Sequence, residues 1–104
     1  MIRPNDITAP QKFPLGRLLV TCGAMAALER TGEDPTEYIA RHAIGDWGEL
    51  DAEDKRANDE AIKNGTRILS AFHLKDNTKI WVISEASDPQ GNREATTILL
   101  PDEY

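Results

Sequence analysis

Residues 67–100 read RILSAFHLKDNTKIWVISEASDPQGNREATTILL, and this stretch decides the fold. Three blocks in it, Arg67–Leu74, Lys79–Ala86 and Glu94–Leu100, are rich in Ile, Val, Thr, Phe and Trp, the residue types that suit a pleated surface. Lys75-Asp76-Asn77-Thr78 is a short connection with Asx-turn chemistry, and residues 87–92 form a longer loop. Connections this short join antiparallel neighbours, so the stretch predicts a three-stranded meander. Strand alternation puts Ile68, Ser70, Phe72 and Leu74 on one face and Leu69, Ala71 and His73 on the other. In the next strand Ile80, Val82 and Ser84 alternate with Trp81, Ile83 and Glu85. Both faces carry apolar side chains. Helices are expected to cover one; the N-terminal arm, another helix or a partner is expected to cover part of the other.

Upstream of this stretch the pattern turns helical. Thr21 is placed to cap a helix over Cys22–Arg30, with Gly32 able to take the positive φ that ends it. Asp34-Pro35 starts a second helix, because Pro at the first helical position gives up an N–H that would be unpaired anyway. That helix runs to Ile44, carries Tyr38, Ile39, His42 and Ala43 at helical spacing, and stops at Gly45. Asp51 caps a third helix over Ala52–Asn64, closed by Gly65, with a thin apolar stripe of Ala57, Ala61 and Ile62. Arg17–Thr21 is a short β-like run and a candidate fourth strand. Residues 1–16, with Pro4, Pro10 and Pro14, read as an extended arm pinned by Ile2, Ile7 and Phe13. The expected fold is α+β: the arm, then one domain over 17–104, with N-terminal helices followed by a three- to four-stranded antiparallel meander.

Composition narrows function. The chain has 104 residues, 39% apolar, with a net charge of −6. An acidic balance excludes a broad basic face for nucleic acid and a polybasic membrane anchor, though it leaves room for a small pocket for RNA. It fits docking on a basic protein surface. A single cysteine, Cys22, makes no internal disulfide, and no run reaches the ~20 apolar residues of a membrane span. The protein is expected to be soluble and cytoplasmic. The spacing of His, Cys, Asp and Glu fits no metal motif and no glycine-rich phosphate loop is present, so no metal or cofactor is expected. Cys22 is expected to be a packed small residue.

Two sets of residues stand out. The first surrounds Arg41-His42-Ala43-Ile44-Gly45-Asp46-Trp47-Gly48. His42 is a candidate general acid/base, with Arg67, Ser70, His73 and Thr97 as candidate helpers for metal-independent RNA cleavage. Arg93, Ser84 and Thr96 could complete a phosphate pocket. The plainer reading makes His42 a cation in the last helical turn and the hydroxyls ordinary strand residues. The second set is acidic. Asp46, Glu49, Asp51, Glu53, Asp54, Asp59 and Glu60 against Lys55 and Arg56 leave −5 on residues 46–60, most of the whole-chain charge. It reads as a docking face with Trp47 as its hydrophobic anchor, or as a solvated helix face whose acids favour the positive end of the dipole.

The chain from Leu15 to Tyr104 resembles a family of small proteins carried on bacterial plasmids, phages and integrated elements. The likeness rests on His42, Asp46-Trp47-Gly48, Asn58, Ser70, Trp81, Ser84-Glu85, Thr96-Thr97 and Leu99-Leu100-Pro101. It implies a setting among genes for conjugation and for evading host defences. The loop over 87–93 is longer than that family's pattern. A more distant likeness, of topology, is to ribonucleases of the barnase–EndoU–RelE type. The first reading is therefore an accessory protein that binds and regulates or inhibits a host protein. The second is a ribonuclease built on His42, and the third a non-catalytic homodimeric domain.

Overall fold

Strand β1 (Arg17–Val20) opens the described chain's regular structure, ahead of helices α1 (Cys22–Thr31), α2 (Pro35–Ala43) and α3 (Ala52–Asn64). Strands β2 (Ile68–His73), β3 (Lys79–Ser84) and β4 (Ala95–Leu99) follow, and a 3-10 turn over Pro101–Glu103 ends the chain. This is a computed structural model, and it describes residues 10–104. The part of the arm holding Ile2 and Ile7 lies outside the described residues. Within them, Phe13 is buried as expected and packs with Trp47, Ala61 and Ile68.

Local chemistry sets the helix ends. The Thr21 hydroxyl accepts from Ala24 N–H, Asp34 from Thr36 N–H and Asp51 from Asp54 N–H, each satisfying a first-turn donor that has no partner inside its helix. Gly32 and Gly65 close α1 and α3 at φ of 72° and 78°. The buried side of α3 is Asn58 and Ala61, with Ile62 half-buried; Ala57, expected in that stripe, is exposed.

The sheet order is β1-β4-β3-β2. The β2–β3 and β3–β4 pairs are antiparallel, as their connections require. β1 corrects the expectation of a purely antiparallel sheet: it pairs parallel with β4, Leu18 opposite Thr96 and Val20 opposite Ile98. The sheet is therefore mixed, and one strand precedes the helices. The reason is geometric: all three helices and then β2 and β3 lie between β1 and β4, so no tight turn forces the two antiparallel.

All three helices lie on the Ile68/Ser70/Phe72 face. Ala24, Ala27 and Leu28 of α1 and Tyr38 and Ile39 of α2 meet Phe72, Ile80, Val82 and Ile98 there. Each large apolar side chain so buried contributes roughly 1.5–3 kcal/mol. No α-helix of the described residues covers the opposite face. Ala71, Ile83 and Leu99 are nonetheless buried on it. There Trp81 meets Tyr104 edge-on at 6.0 Å, and the Arg67 guanidinium lies 5.0 Å from the Tyr104 ring centre.

Candidate functional site

α2 aims His42 inward at the sheet, where it is 0% exposed. Strand parity puts Ser70, Ser84 and Thr96 on that same inner face. The Thr96 hydroxyl donates to Leu15 O at 2.7 Å, which fixes the direction of everything behind it. Thr96 must then accept from Ser84 at 2.6 Å, and Ser84 must accept from His42 Nε2–H at 2.9 Å. His42 Nδ1 is left as an acceptor for the Ser70 hydroxyl at 2.5 Å. The ring is thus the neutral Nε2–H tautomer with both nitrogens used. Phe13 and Trp47 close it off edge-on, with centroids at 5.3 and 5.7 Å. Burial, aided by the positive charge of Arg93, pulls the His42 pKa from 6.5 down to about 3. A neutral imidazole sealed from solvent is suited to hold three elements together: α2, the inner strands and the arm at Leu15.

The other residues of the candidate ribonuclease set are not brought to His42. Only Ser70 touches it. Arg67, His73 and Thr97 belong to the opposite face of the sheet, as their parity with Leu69 and Ile83 dictates. There Arg67 stacks on Tyr104, while His73 Nδ1 meets Glu49 Oε2 at 2.7 Å. Arg93, the alternative phosphate cation, is buried and committed. Its Nη1 donates to Thr66 O at 2.7 Å and Glu85 O at 2.8 Å, and its Nη2 to Ala61 O at 3.1 Å. It ties the C-terminal end of α3 to the strand ends, beneath an open cleft of about 360 Å³ bordered by Lys12, Ile62, Lys63, Ser87 and Asp88. Among the described residues, no three His, Cys, Asp or Glu side chains converge as metal ligands.

The acidic segment divides. Asp46 pairs with Arg41 at 2.7 Å and accepts from Gly48 N–H. Glu49 is held below the usual carboxyl range, first by the hydrogen bond from His73. Asp51 caps α3, and Asp59 accepts from Trp47 Nε1–H at 3.1 Å. Glu53, Asp54 and Glu60 remain, exposed and in no ion pair among the described residues. Glu53 and Glu60 are two turns apart on the outer side of α3, with Arg56 and Lys63 between and beyond them. Trp47 is a correction: at 4% exposure it is core, not an anchor for a partner. Its ring fills the space beside Phe13 and His42, and its only polar atom is bonded to Asp59. Cys22 is a second correction, exposed rather than packed, because it starts α1 on the side away from Ala24 and Leu28.

Asn58 carries a role that composition and spacing had not marked. Its side-chain amide donates to Leu69 O at 2.7 Å and its oxygen accepts from Leu69 N–H at 3.2 Å, imitating one step of a strand at the edge of β2. A polar residue on the buried side of an otherwise apolar stripe was the available signal. No helix of the described residues is long and apolar enough to cross a membrane. Comparison with family models, with curated proteins and with solved structures finds no match.

Proposed function

We propose that this chain is a binding protein, and that the outer side of α3 docks on a basic surface of another protein to regulate or inhibit it. The observation that carries this reading is the trio Glu53, Asp54 and Glu60, Asp54 in the first turn of α3 and Glu53 and Glu60 along its outer side, all exposed and with no ion-pair partner among the described residues. Exposed carboxylates of one sign steer encounter with a cationic partner and select it against others. The neutral, sealed state of His42 supports a structural use of that residue over acid/base chemistry. The resemblance given above extends the reading: the partner is then a host protein met in the cytoplasm, a defence nuclease being the example that fits. The test is binding of the full chain to its partner beside the triple reversal Glu53→Lys, Asp54→Lys and Glu60→Lys. Affinity is expected to fall at least about tenfold, and the loss to shrink as salt is raised. A folded triple variant with undiminished affinity rules the α3 face out.

A further inference from the structure

The two edges of the sheet are treated differently. At the β2 edge, Asn58 occupies both main-chain groups of Leu69, while Ala71 N–H donates to Trp47 O at 3.2 Å and Glu49 N–H donates to Ala71 O at 2.8 Å. Among the described residues the β1 edge has no such cover. Arg17 N–H donates to Glu94 O and Thr21 N–H to Ile98 O, both at 3.0 Å, so the main-chain groups of Arg17, Leu19 and Thr21 face β4. Those of Leu18 and Val20 face away, and among the described residues they find no main-chain partner. Such an edge is a template for another strand unless proline, lysine or a bulge blunts it, and β1 reads Arg-Leu-Leu-Val. Leu18 is 53% and Leu19 41% exposed; with Met25 in the first turn of α1, they are three of the four exposed large apolar side chains among the described residues.

We propose that this edge is a homodimer interface, in which β1 of two copies pair antiparallel about a two-fold axis through Leu19 and join two four-stranded sheets into one of eight. The strand is complementary to itself in that register. An axis normal to the sheet keeps both helix layers on one side, so opposed residues must share a face. With Leu19 on the axis, Leu18 lies opposite Val20 of the second copy, and their outward N–H and C=O groups exchange. All four groups on each strand are then used within β1. Centring on Leu18 would instead draw in Gly16, whose φ of 67° breaks the strand. The two Leu19 side chains meet on the open face. Charge names a second copy over an unrelated strand: Arg17 falls opposite Thr21 of the other copy, whose hydroxyl donates to Glu103 Oε1 at 2.5 Å. The same Glu103 holds Gly23 N–H at 3.1 Å, so the carboxylate is fixed in place. Each copy therefore brings an acid to meet the other's Arg17, twice per dimer. α3 packs at the β2 edge, so the assembly would carry its two acidic helices at opposite ends.

Sedimentation of the full chain tests this independently of any partner for α3, since it reads mass alone. At about 100 µM the protein is expected at twice the chain mass, with the dimer fraction rising with concentration. Leu18→Pro removes an N–H that does not face β4, and is expected to give a monomer with an unchanged circular dichroism spectrum. Arg17→Glu is expected to weaken the dimer about tenfold at low salt. Register is read by oxidation in a Cys22→Ser background. Leu19→Cys is expected to cross-link to its own copy, because that non-hydrogen-bonded pair brings Cα atoms to about 4.5 Å, and Leu18→Cys is not. A monomeric parent protein, a dimer that survives Leu18→Pro undiminished, or cross-linking through Leu18→Cys in place of Leu19→Cys overturns the proposal.

Discussion

His42 Nε2 lies 2.9 Å from Ser84 Oγ, and this contact sets the direction of a buried relay from Ser70 through His42, Ser84 and Thr96 to Leu15 O. Every member donates once, so the relay has no spare proton and no spare acceptor facing solvent. Ser84→Ala is expected to cost about 1–3 kcal/mol, because it leaves the Nε2–H unsatisfied in the core. His42→Ala is expected to cost more, about 3–5 kcal/mol, since it adds a cavity between Phe13 and Trp47. Urea unfolding of each variant checks both values, and the double variant is expected to lose less than the sum of the two.

The same burial predicts a pH dependence. In the folded chain His42 resists protonation down to about pH 3, whereas in the unfolded chain it takes a proton near 6.5. Between those values the unfolded state binds more protons, so stability must rise with pH. The contribution is complete above about pH 6.5 and is lost as pH falls toward 3, at roughly 1.4 kcal/mol per pH unit within that window. Unfolding free energies at about pH 7, 6 and 5 measure the slope, and His42→Gln is expected to flatten it.

Gly48 fixes the link between α2 and α3 to the β2 edge. It takes φ of 74°, and a Cβ there would stand 2.0 Å from Ala71 O and 2.7 Å from Phe72 Cδ1. Backbone and a buried ring cannot give by that much. Gly48→Ala is expected to destabilise by at least about 2 kcal/mol and to detach the 47–49 segment from Ala71. Thermal unfolding reports the first effect. Faster hydrogen exchange at Glu49 and Ala71 N–H reports the second.

The legible parts of this molecule were those that neighbours in sequence decide. Thr21, Asp34 and Asp51 act within three residues, and all three caps form as read. The turn at Lys75–Thr78 likewise sets β2 against β3. Parity alone placed Ser70 with Ile68 and Phe72, and so on the face that became the core. The partner of β1 was not legible, because four residues of Arg-Leu-Leu-Val fit either side of any strand and no tight turn makes the choice. The fate of Trp47 was hidden for a similar reason. A large aromatic beside two glycines suits a surface anchor or a core plug, and Phe13, some 34 positions upstream, decides between them by stacking at 6.1 Å. The acidic segment could be counted in sequence, but which carboxylates stay free depended on Arg41, His73 and Trp47 arriving beside Asp46, Glu49 and Asp59.

Asn58 offers the sharpest separation of shape from hydrogen-bonding chemistry. Its amide both donates to and accepts from Leu69, and Asp is nearly the same size but cannot donate when ionised. Asn58→Asp would set a carboxylate oxygen against Leu69 O at the present 2.7 Å, in a site that is buried. Repulsion and desolvation both favour the protonated acid, so the new carboxyl is expected to titrate well above the usual range. The sign follows: its folded pKa exceeds its unfolded one, so the penalty is full at neutral pH and shrinks as pH falls into the range where the carboxyl regains a proton and can donate. A loss of about 2–4 kcal/mol at pH 7 is expected, smaller at pH 5 relative to the parent protein at the same pH. Asn58→Ala should show a loss without that relief. Parallel urea titrations of the two variants distinguish a missing donor from a missing side chain, and equal pH profiles would mean that α3 holds the β2 edge by packing of Ala61 and Ile62 rather than through this amide.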